Sequence, residues 1–438
     1  MDSYEKSLQT LELPAVLALL AAQAVSETAR TQAMALRPSG DRAVVATRLG
    51  ETSAAASMMV VKGSPSFSGV KDVRAALQRA DMGGALNTRE LLDIAGVLQA
   101  ARCVRSYGTG ERQDKTSIDY LFSALQANRF LEEKIFTSIT GEDEIADSAS
   151  SELASIRRLI RAASARVHDA LQKIISSPSY AKALQEPIIT MRDGRFVVPV
   201  KIECKNEVKG LVHDTSSSGA TVFIEPMAVV DANNEIRMLQ NEEQLEIDRI
   251  LQEFSERIGQ VADATRDSFA ALLQLDLLFA KSRLADKMKA TVPELNEDGI
   301  IEFRKARHPL INKEKVVPVD IRLGDGFDTL VITGPNTGGK TVVLKTLGLL
   351  TLMAACGMML PVATGSRAAV FTHVLADIGD EQSIEQSLST FSSHIVKIIE
   401  ILTIADTKSL VLTDELGAGT DPTEGAALAV SIITALRQ

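Results

Sequence analysis

The residues in this sequence best suited to chemistry form a short glycine-rich segment between an apolar run and a helical pattern. The segment extends from Gly334 to Thr341 with the spacing Gly-x4-Gly-Lys-Thr. Residues 330–332 before it predict a strand, and residues 342–347 after it predict a helix. Backbone N–H groups in such a loop surround phosphates at a helix N-terminus, where unpaired donors and the helix dipole favour anions. The pattern therefore predicts a nucleoside triphosphate site.

Each end of this loop has an expected role. Lys340 is expected to reach the β- and γ-phosphates and to assist catalysis, and the Thr341 hydroxyl is expected to ligate Mg²⁺. The expected nucleotide-binding residues of the loop are Gly334, Pro335, Asn336, Thr337, Gly338, Gly339, Lys340 and Thr341. The simpler alternative is a glycine-rich turn that binds no ligand.

Two carboxylates end a second apolar run. Residues 410–413 predict a strand, and Asp414 and Glu415 follow it directly. Asp414 is expected to hold Mg²⁺ through its waters, and Glu415 to polarise the attacking water as a general base. An Asp-Glu pair at a strand end is commonly just a solvated turn. Together with the loop, it favours an ATPase over a kinase, because a base beside the metal needs no acceptor substrate.

Composition limits the class of protein. The chain has 438 residues, 45% of them hydrophobic, which is enough for two or three domains with their own cores. Three cysteines far apart in sequence indicate neither a disulfide framework nor a zinc site, and favour a reducing compartment. The chain opens with no charged and then apolar leader. Its longest apolar stretch, 347–362, is interrupted by glycine and proline, so no membrane span and a cytoplasmic location are expected.

Charge and aromatic content restrict how nucleic acid could bind. The net charge is −10, which argues against nonspecific polyanion binding by the whole surface, so any such contact must be local. With no Trp and 4% aromatic residues, recognition of single strands by base stacking has little support. The composition still allows a local mode of binding in which Arg or Lys side chains contact the phosphate backbone.

Sequence patterns divide the chain into five segments and predict a multidomain α and α/β protein. Residues 1–148 alternate short amphipathic helices with Pro, Gly and Ser breaks, and predict a helical core domain. Residues 149–185 predict an outgoing coiled-coil arm, 186–226 a small β tip, and 227–292 a returning arm. Residues 293–438 alternate strands and helices, which predicts a mainly parallel sheet with the loop at the carboxyl end of a strand.

The two arms have opposite charges. Apolar residues of the outgoing arm repeat at intervals of three and four for three heptads, and its outward positions are basic. The returning arm, expected as one helix over 227–289, is acidic. The arms are therefore expected to pair antiparallel, and two solvated faces of different charge are the simpler alternative.

The tip between the arms is expected to begin with a hairpin. Residues 187–200 form two strand patterns around the turn Asp193-Gly194. Five basic residues of the tip are candidates for contact with a nucleic-acid backbone, although such a run is often only a solvated face. They are Arg192, Arg195, Lys201, Lys205 and Lys209.

Three motifs taken together resemble the MutS family of ABC-type ATPases. They are residues 333–341, 377–394 and 412–422. Within that family the chain resembles the type-two branch over essentially its whole length, because residues 307–309 and 214–221 also look like that branch. The resemblance implies an ABC-type P-loop ATPase with ATP and Mg²⁺ as cofactors.

The resemblance also implies roles for residues that their types alone do not reveal. It places ATP at a homodimer interface, where Ser389 in Ser389-Thr390-Phe391 of one subunit approaches the γ-phosphate held by the other. Without the resemblance, this stretch would be interpreted as a serine-rich helix cap. The resemblance further implies adenine contacts near Val316 and Val317, and a partner-facing segment at 417–421.

Two departures from the family pattern matter. The chain lacks the mismatch-reading domain of the repair branch, and its only Phe-x-Glu, at 254–256, lies on the heptad stripe, so mismatch recognition is not expected. The sequence ends at Gln438, before the family's switch histidine, dimerising helices and C-terminal Smr nuclease domain. The resemblance thus implies an N-terminal fragment, which can bind ATP without turnover, with nuclease activity in the missing domain.

The implied function is an ATP-driven dimeric clamp on branched DNA that suppresses recombination. The alternative is the same fold binding rRNA and splitting collided ribosomes, since a basic tip serves either substrate. Two other classes fit poorly. In a long-coiled-coil chromosome ATPase the arms would interrupt the ATPase, whereas here they precede Gly334, and a small-molecule kinase would need an acceptor pocket and lid that nothing marks.

Overall fold

The computed structural model describes residues 3–110, 115–334, 339–379 and 387–437, without the side chains of 387–391 and 393. Its contacts divide the chain into two compact units. The first unit consists of Met1–Lys71, Gln99–Ala127 and Asp267–Gln438, and the second unit of Asp72–Leu98 and Asn128–Arg266.

Helices dominate both units. The helices are α1 (Ser3–Thr10), α2 (Leu13–Ala21), α3 (Glu27–Met34), α4 (Arg42–Lys62), α5 (Arg74–Asp81), α6 (Thr88–Thr109), α7 (Asp119–Ala124), α8 (Arg129–Ser138), α9 (Ser151–Ile175), α10 (Met227–Gln260), α11 (Ala262–Met288), α12 (Lys340–Ala355), α13 (Ser387–Ile404) and α14 (Pro422–Leu436). None of those helices, as far as they are described, is both long and apolar enough to cross a membrane.

The strands are short and form four small sheets among the described residues. They are β1 (Ile139–Gly141), β2 (Glu144–Ile145), β3 (Thr190–Arg192), β4 (Arg195–Lys201), β5 (Gly210–Thr215), β6 (Thr221–Pro226), β7 (Glu294–Asn296), β8 (Ile301–Ala306), β9 (Val319–Leu323), β10 (Arg367–Ala369), β11 (His373–Asp377) and β12 (Ser409–Thr413). The sheet orders are β1-β2, β3-β4-β6-β5, β7-β10-β8-β9 and β11-β12.

In the second unit, α9 and α10 pair along their lengths. The apolar heptad residues of α9 are covered by their neighbours: Leu153, Ile156, Ala163 and Val167 are buried, and Ile160, Ala170 and Ile174 are half-buried. Arg157 lies 2.6 Å from Glu243, and Arg166 lies 2.6 Å from Glu235. Because the order of residues along α9 is reversed along α10, the expected antiparallel pairing of a basic with an acidic arm is confirmed.

The returning arm is two helices, and the expectation of one helix over 227–289 is wrong. Helix α10 ends at Gln260, Val261 leaves the helical conformation with φ −117° and ψ 14°, and α11 begins at the next residue. Gly259 in the last turn has low helix propensity. It also lies so close to α5 that a Cβ there would be 2.6 Å from the Ala80 carbonyl oxygen. Close packing thus selects a helix-weakening residue at this point, beside the break.

The tip is a four-stranded antiparallel sheet on the ends of both arms. The expected hairpin is confirmed: Arg192 pairs with Arg195 across Asp193 and Gly194, which have φ of 47° and 73°. Positive φ at both central residues is what a type I′ turn requires, and Asp-Gly tolerates it. The sheet shares one apolar core with α9 and α10, which includes Val198, Val200, Val222, Ile224, Val167, Leu171 and Ile236.

The sheets of the first unit are less parallel than expected. Within the described residues, β11 and β12 form a separate parallel pair, and β7 is parallel to β10. The remaining contacts, β10 with β8 and β8 with β9, are antiparallel. The described part of 293–438 therefore contains a mixed sheet and a parallel pair rather than one mainly parallel sheet.

The apolar run at 330–332 is not a strand in the structure, which corrects that expectation. Val331 is 68% exposed, and no described strand pairs with the run. A strand needs a neighbour to satisfy its N–H and C=O groups and to cover its side chains. Residues 330–332 are apolar but have no such neighbour among the described strands.

The N-terminal helix α1 packs on β11 in the first unit. The backbone N–H of Ala376 donates to Ser7 Oγ at 3.1 Å, and Tyr4 lies edge-on to His373 with ring centroids 5.5 Å apart. On α12, Gly348 permits a close approach, since a Cβ there would lie 2.6 Å from Leu11 and from Leu412. Helix α1 and Leu11 are thus part of the packing around the segment that follows the glycine-rich loop.

Candidate functional site

Parallel pairing brings the ends of two strands together beside the start of α12. The register of β11 and β12 runs from His373 opposite Ser409 to Asp377 opposite Thr413. The next residue, Asp414, continues the ladder by donating its N–H to the Asp377 carbonyl at 3.0 Å. Residues that follow these strands therefore share one edge, as the carboxyl ends of parallel strands do.

The structure places the two expected Mg²⁺ ligands in contact. Thr341 Oγ1 donates to Asp414 Oδ2 at 2.5 Å, across 73 residues of sequence. Thr341 is exposed and Asp414 is half-buried, so solvent reaches the pair. A hydroxyl beside a carboxylate is a suitable donor set for a hard cation such as Mg²⁺.

The visible ends of the loop have backbone conformations that favour glycine. Gly339 has φ 77° and Gly334 has φ 144°, and open space surrounds the Cβ position of each. Lys340 Nζ donates to the Gly334 carbonyl at 2.9 Å, which directs the ammonium back to the first residue of the loop. Among the described residues, no side chain caps the N-terminus of α12. An uncapped helix start with a lysine beside it suits a phosphate.

Glu415 has an unusual backbone conformation. Its φ is 50°, in the left-handed region that non-glycine residues seldom adopt, and its N–H donates to Asp414 Oδ1 at 3.1 Å. The following turn is tightly packed, because a Cβ at Gly417 would lie 2.4 Å from the Gly425 carbonyl oxygen. Such strain persists only where the surroundings fix it. The backbone of Glu415 is thereby fixed directly after Asp414, and the side chain of Glu415 is exposed to solvent.

A buried carboxylate at the end of β11 was not singled out from the sequence. Asp377 is 2% exposed, and its two carboxylate oxygens lie 3.0 and 2.8 Å from His394 Nδ1. Lys397 Nζ lies 3.7 Å away. The contact fixes α13 against the strand end beside Asp414. Asp377 is the first residue of the motif at 377–394 and His394 is the last, but their types and spacing alone gave no reason to pair them.

Several expected site residues lie outside the described structure, and two others are described but form no hydrogen bond with the loop among the described residues. Pro335, Asn336, Thr337 and Gly338 lie outside the described residues. Ser389 belongs to α13, but its side chain is outside them as well. Val316 and Val317 lie between β8 and β9, and Val317 is 82% exposed. In the described part of the chain, no hydrogen bond joins either valine to the loop, so their role as adenine contacts stays a prediction.

The five basic residues of the tip have different environments. Arg195 is largely buried and donates to both carboxylate oxygens of Glu225, at 2.9 and 3.0 Å. Glu225 is fully buried and also contacts His213 Nε2 at 2.5 Å and Asn233 Nδ2 at 2.8 Å. This network joins β4, β5, β6 and α10. Arg195, whose guanidinium it occupies, is therefore removed from the candidate nucleic-acid surface.

Arg192 and the three lysines are more accessible. The Arg192 guanidinium stacks on Phe223, 4.1 Å from the ring centroid, and lies 3.2 Å from Asp214. Lys201 is half-buried, and Lys205 and Lys209 are exposed. None of the three lysines forms an ion pair with any residue that the structure describes. We call these four residues, Arg192, Lys201, Lys205 and Lys209, the basic tip surface.

Replacing Arg195 with methionine is expected to destabilise the tip by about 3–5 kcal/mol, because it leaves a buried carboxylate without its charged partner. The matched change Arg192→Met affects a partly exposed ion pair and is expected to cost about 1 kcal/mol or less. Native-state hydrogen exchange of the amides in β4 and β6 measures both local free energies. Equal effects of the two substitutions would contradict the assignment of Arg195 to the buried network.

Comparison with known proteins identifies the family. MutS domain V matches residues 330–438, which contain the loop and the carboxylate pair. The chain is 49% identical over 436 residues to Endonuclease MutS2 of Ruminiclostridium cellulolyticum, and 48% identical over 436 residues to Endonuclease MutS2 of Acetivibrio thermocellus. Each comparison covers 99% of this chain and 55% of the relative, so the chain spans little more than half the length of these proteins. Similarity along almost all of its length, together with the domain V match, shows that the chain belongs to the MutS family, in the branch of the MutS2 proteins.

Proposed function

We propose that the protein binds ATP with Mg²⁺ at the start of α12 and, in the full-length protein, hydrolyses it. The contact between Thr341 Oγ1 and Asp414 Oδ2 carries this proposal, because it brings two hard oxygen donors from distant motifs to one helix N-terminus. Lys340 and the uncapped start of α12 supply positive charge and donors for the phosphates.

Each residue then has a chemical task. Bound ATP would supply the phosphoryl group, and bound Mg²⁺ would neutralise negative charge on it. Thr341 and Asp414 hold the cation, and Lys340 binds phosphate oxygens in place of the Gly334 carbonyl. Glu415 orients the attacking water and accepts its proton. Ser389 is proposed to act from the second subunit of a homodimer formed through the ATPase domain.

Titration with a fluorescent ATP analogue tests this proposal directly. We expect saturable binding that unlabelled ATP competes away and that EDTA weakens, because Mg²⁺ held by Thr341 and Asp414 would neutralise charge on the phosphates. Phosphate release from ATP is followed in parallel. Binding without release is expected for this length of chain, and release is expected for the full-length protein. If neither this chain nor the full-length protein bound the analogue saturably, the proposal would be overturned.

We further propose that the full-length protein is a cytoplasmic clamp on branched DNA that limits homologous recombination. Membership of the MutS family supports a role connected with DNA, and the basic tip surface at the end of the paired arms supplies groups that contact phosphates. The relatives are named endonucleases. We propose that nuclease activity belongs to a further domain of the full-length protein and assign it to no residue of this chain.

A clamp on collided ribosomes that contacts rRNA is the second candidate. Phosphate contacts by the same tip support either substrate, so only a direct comparison separates them. Full-length protein is offered branched DNA and stalled disomes in competition at physiological salt. We expect it to prefer branched DNA. Preference for disomes would overturn the DNA proposal in favour of the ribosome.

Replacing Arg192 with alanine is expected to weaken nucleic-acid binding several-fold and to reduce the slope of log affinity against log salt by about 1, since one phosphate contact is lost. Arg161→Ala is the control, because Arg161 is an exposed arm residue that pairs with Asp147 at 3.2 Å. Affinity is measured at several salt concentrations. An unchanged slope for Arg192→Ala would make the basic tip surface an ordinary solvated face.

A further inference from the structure

The C-terminal end of α12 is held by donors from the N-terminal part of the chain and from α11. The Ala355 carbonyl accepts from the Ser39 N–H at 3.1 Å. The Cys356 carbonyl accepts from Lys281 Nζ at 2.8 Å, and the Gly357 carbonyl accepts from Thr52 Oγ1 at 2.8 Å. A helix leaves its last carbonyls without intrahelical partners, so the carbonyls of Ala355 and of the C-cap residue Cys356 take outside donors. Thr52 holds the residue that follows the cap.

Two of these donors are buried. Thr52 on α4 is fully buried, and Lys281 on α11 is 4% exposed. Within the described chain, no carboxylate lies within ion-pair distance of Lys281. Burial lowers the pKa of Lys281 to about 8. The titratable groups that face it are Cys356, Arg48 and Glu51, and burial raises the pKa of the Cys356 thiol to about 11. A buried ammonium without a carboxylate is costly, but the negative end of the α12 dipole offsets part of that cost.

The helix between these donors and the loop can act as a rigid rod. Helix α12 has 16 residues and is about 24 Å long at 1.5 Å per residue. Residues 346–355 are buried throughout, so the helix cannot bend independently of its surroundings. Contact at the far end is close as well, because a Cβ at Gly357 would lie 2.3 Å from Arg48 Cβ. A shift of the loop must therefore move α12 against α4 and α11.

We propose that Lys281 and Thr52 are positioning residues that anchor the far end of α12, and that through them nucleotide at the loop alters the stability of α4 and α11. This inference rests on the proposed nucleotide site, since it needs a ligand at the other end of the helix. Neither residue touches the nucleotide. Each acts by holding a carbonyl of one of the two residues that follow α12, the helix whose first residues are Lys340 and Thr341.

Hydrogen exchange of the full-length protein, with and without a non-hydrolysable ATP analogue and Mg²⁺, tests the inference. In the wild type, the analogue is expected to slow exchange in α12 and also in α4 and in residues 267–288 of α11. Thr52→Val and Lys281→Met are expected to bind the analogue with affinity reduced by about tenfold or less and, at saturating analogue, to lose at least half of the slowing in α4 and α11. Thr52→Ser keeps the hydroxyl donor and is expected to behave as the wild type.

Raising the pH provides a second readout that a merely structural residue would not give. Between pH 7 and pH 9 Lys281 loses its proton, so slowing of exchange in α11 is expected to decline in the wild type and to stay unchanged in Lys281→Met. Thr52→Val and Thr52→Ser keep the test decisive if Lys281→Met fails to fold.

The outcomes separate the two proposals. If the wild type does not bind the analogue, the proposed nucleotide function fails, and this inference fails with it. If it binds but exchange slows only at the loop and α12, this inference alone is overturned. Slowing in α4 and α11 that persists undiminished in Thr52→Val and Lys281→Met also overturns it.

Discussion

Replacing Lys340 with alanine is expected to weaken Mg²⁺–ATP binding by about 100-fold or more. Charge-assisted hydrogen bonds contribute about 1.5–3 kcal/mol each, and one lysine can donate several to phosphate oxygens. The Lys340 ammonium group lies at the start of the loop, where it donates to the Gly334 carbonyl at 2.9 Å. Titration with a fluorescent ATP analogue measures the loss.

Lys345→Ala is the matched control on the same helix. Lys345 Nζ lies 3.6 Å from Glu12, so its partner is a side chain of the N-terminal segment rather than the loop. This change is expected to leave the affinity for the analogue within about twofold, because exposed ion pairs contribute little. Equal affinity of the wild type and Lys340→Ala would show that the loop is only a glycine-rich turn.

Replacing Glu415 with glutamine in the full-length protein is expected to leave ATP binding intact and to lower turnover by about 100-fold or more. A positioned general base typically contributes 10²–10⁴-fold, and an amide cannot accept the proton. The substitution keeps the shape of the side chain and the backbone contacts that hold it after Asp414. Phosphate release at saturating ATP and analogue binding, measured on the same preparation, separate the two effects.

Glu424→Gln tests whether any nearby carboxylate would give the same result. Glu424 lies in the first turn of α14, where its N–H donates to Asp421 at 3.4 Å. Its carboxylate accepts from the Thr420 hydroxyl at 3.3 Å within its own turn and has no expected role in hydrolysis, so turnover should remain near that of the wild type. Turnover by Glu415→Gln within tenfold of the wild type would remove Glu415 from the role of general base.

Features set by a local pattern, or by two complementary patterns, were predictable, and contacts between single distant residues outside such patterns were not. Asp193-Gly194 marks its turn because few residue pairs accept two positive φ values. The antiparallel arms followed from heptad spacing and complementary charge. By contrast, residues 330–332 have a strand's composition but no described strand neighbour, and the approach of Ala80 to Gly259 is a tertiary contact that no local pattern reveals. The division of the chain into five segments stays a prediction.

The candidate site shows the same limit at the level of single side chains. The expected role of both residues in holding Mg²⁺ implied that Thr341 lies near Asp414. Arg192 and Arg195, however, occupy similar places on one hairpin, and only the buried Glu225 distinguishes them. Lys281 follows four apolar residues of α11, 277–280, and its contact with the Cys356 carbonyl depends on a segment 75 residues away. Such roles depend on long-range packing, which composition and spacing do not encode.

The layout of the two units sets an order for folding during synthesis. All residues of the second unit have been made once the chain reaches Arg266, whereas the first unit draws on three separate stretches and needs Asp267–Gln438. The hydrogen bond from the Ala376 N–H to Ser7 Oγ cannot form until 369 further residues have been made. On the ribosome we therefore expect the arms and tip to fold early, while α1, α2 and α4 hold apolar surface exposed until the phosphate-loop segment emerges. That interval is when the nascent chain is most open to aggregation and to chaperones.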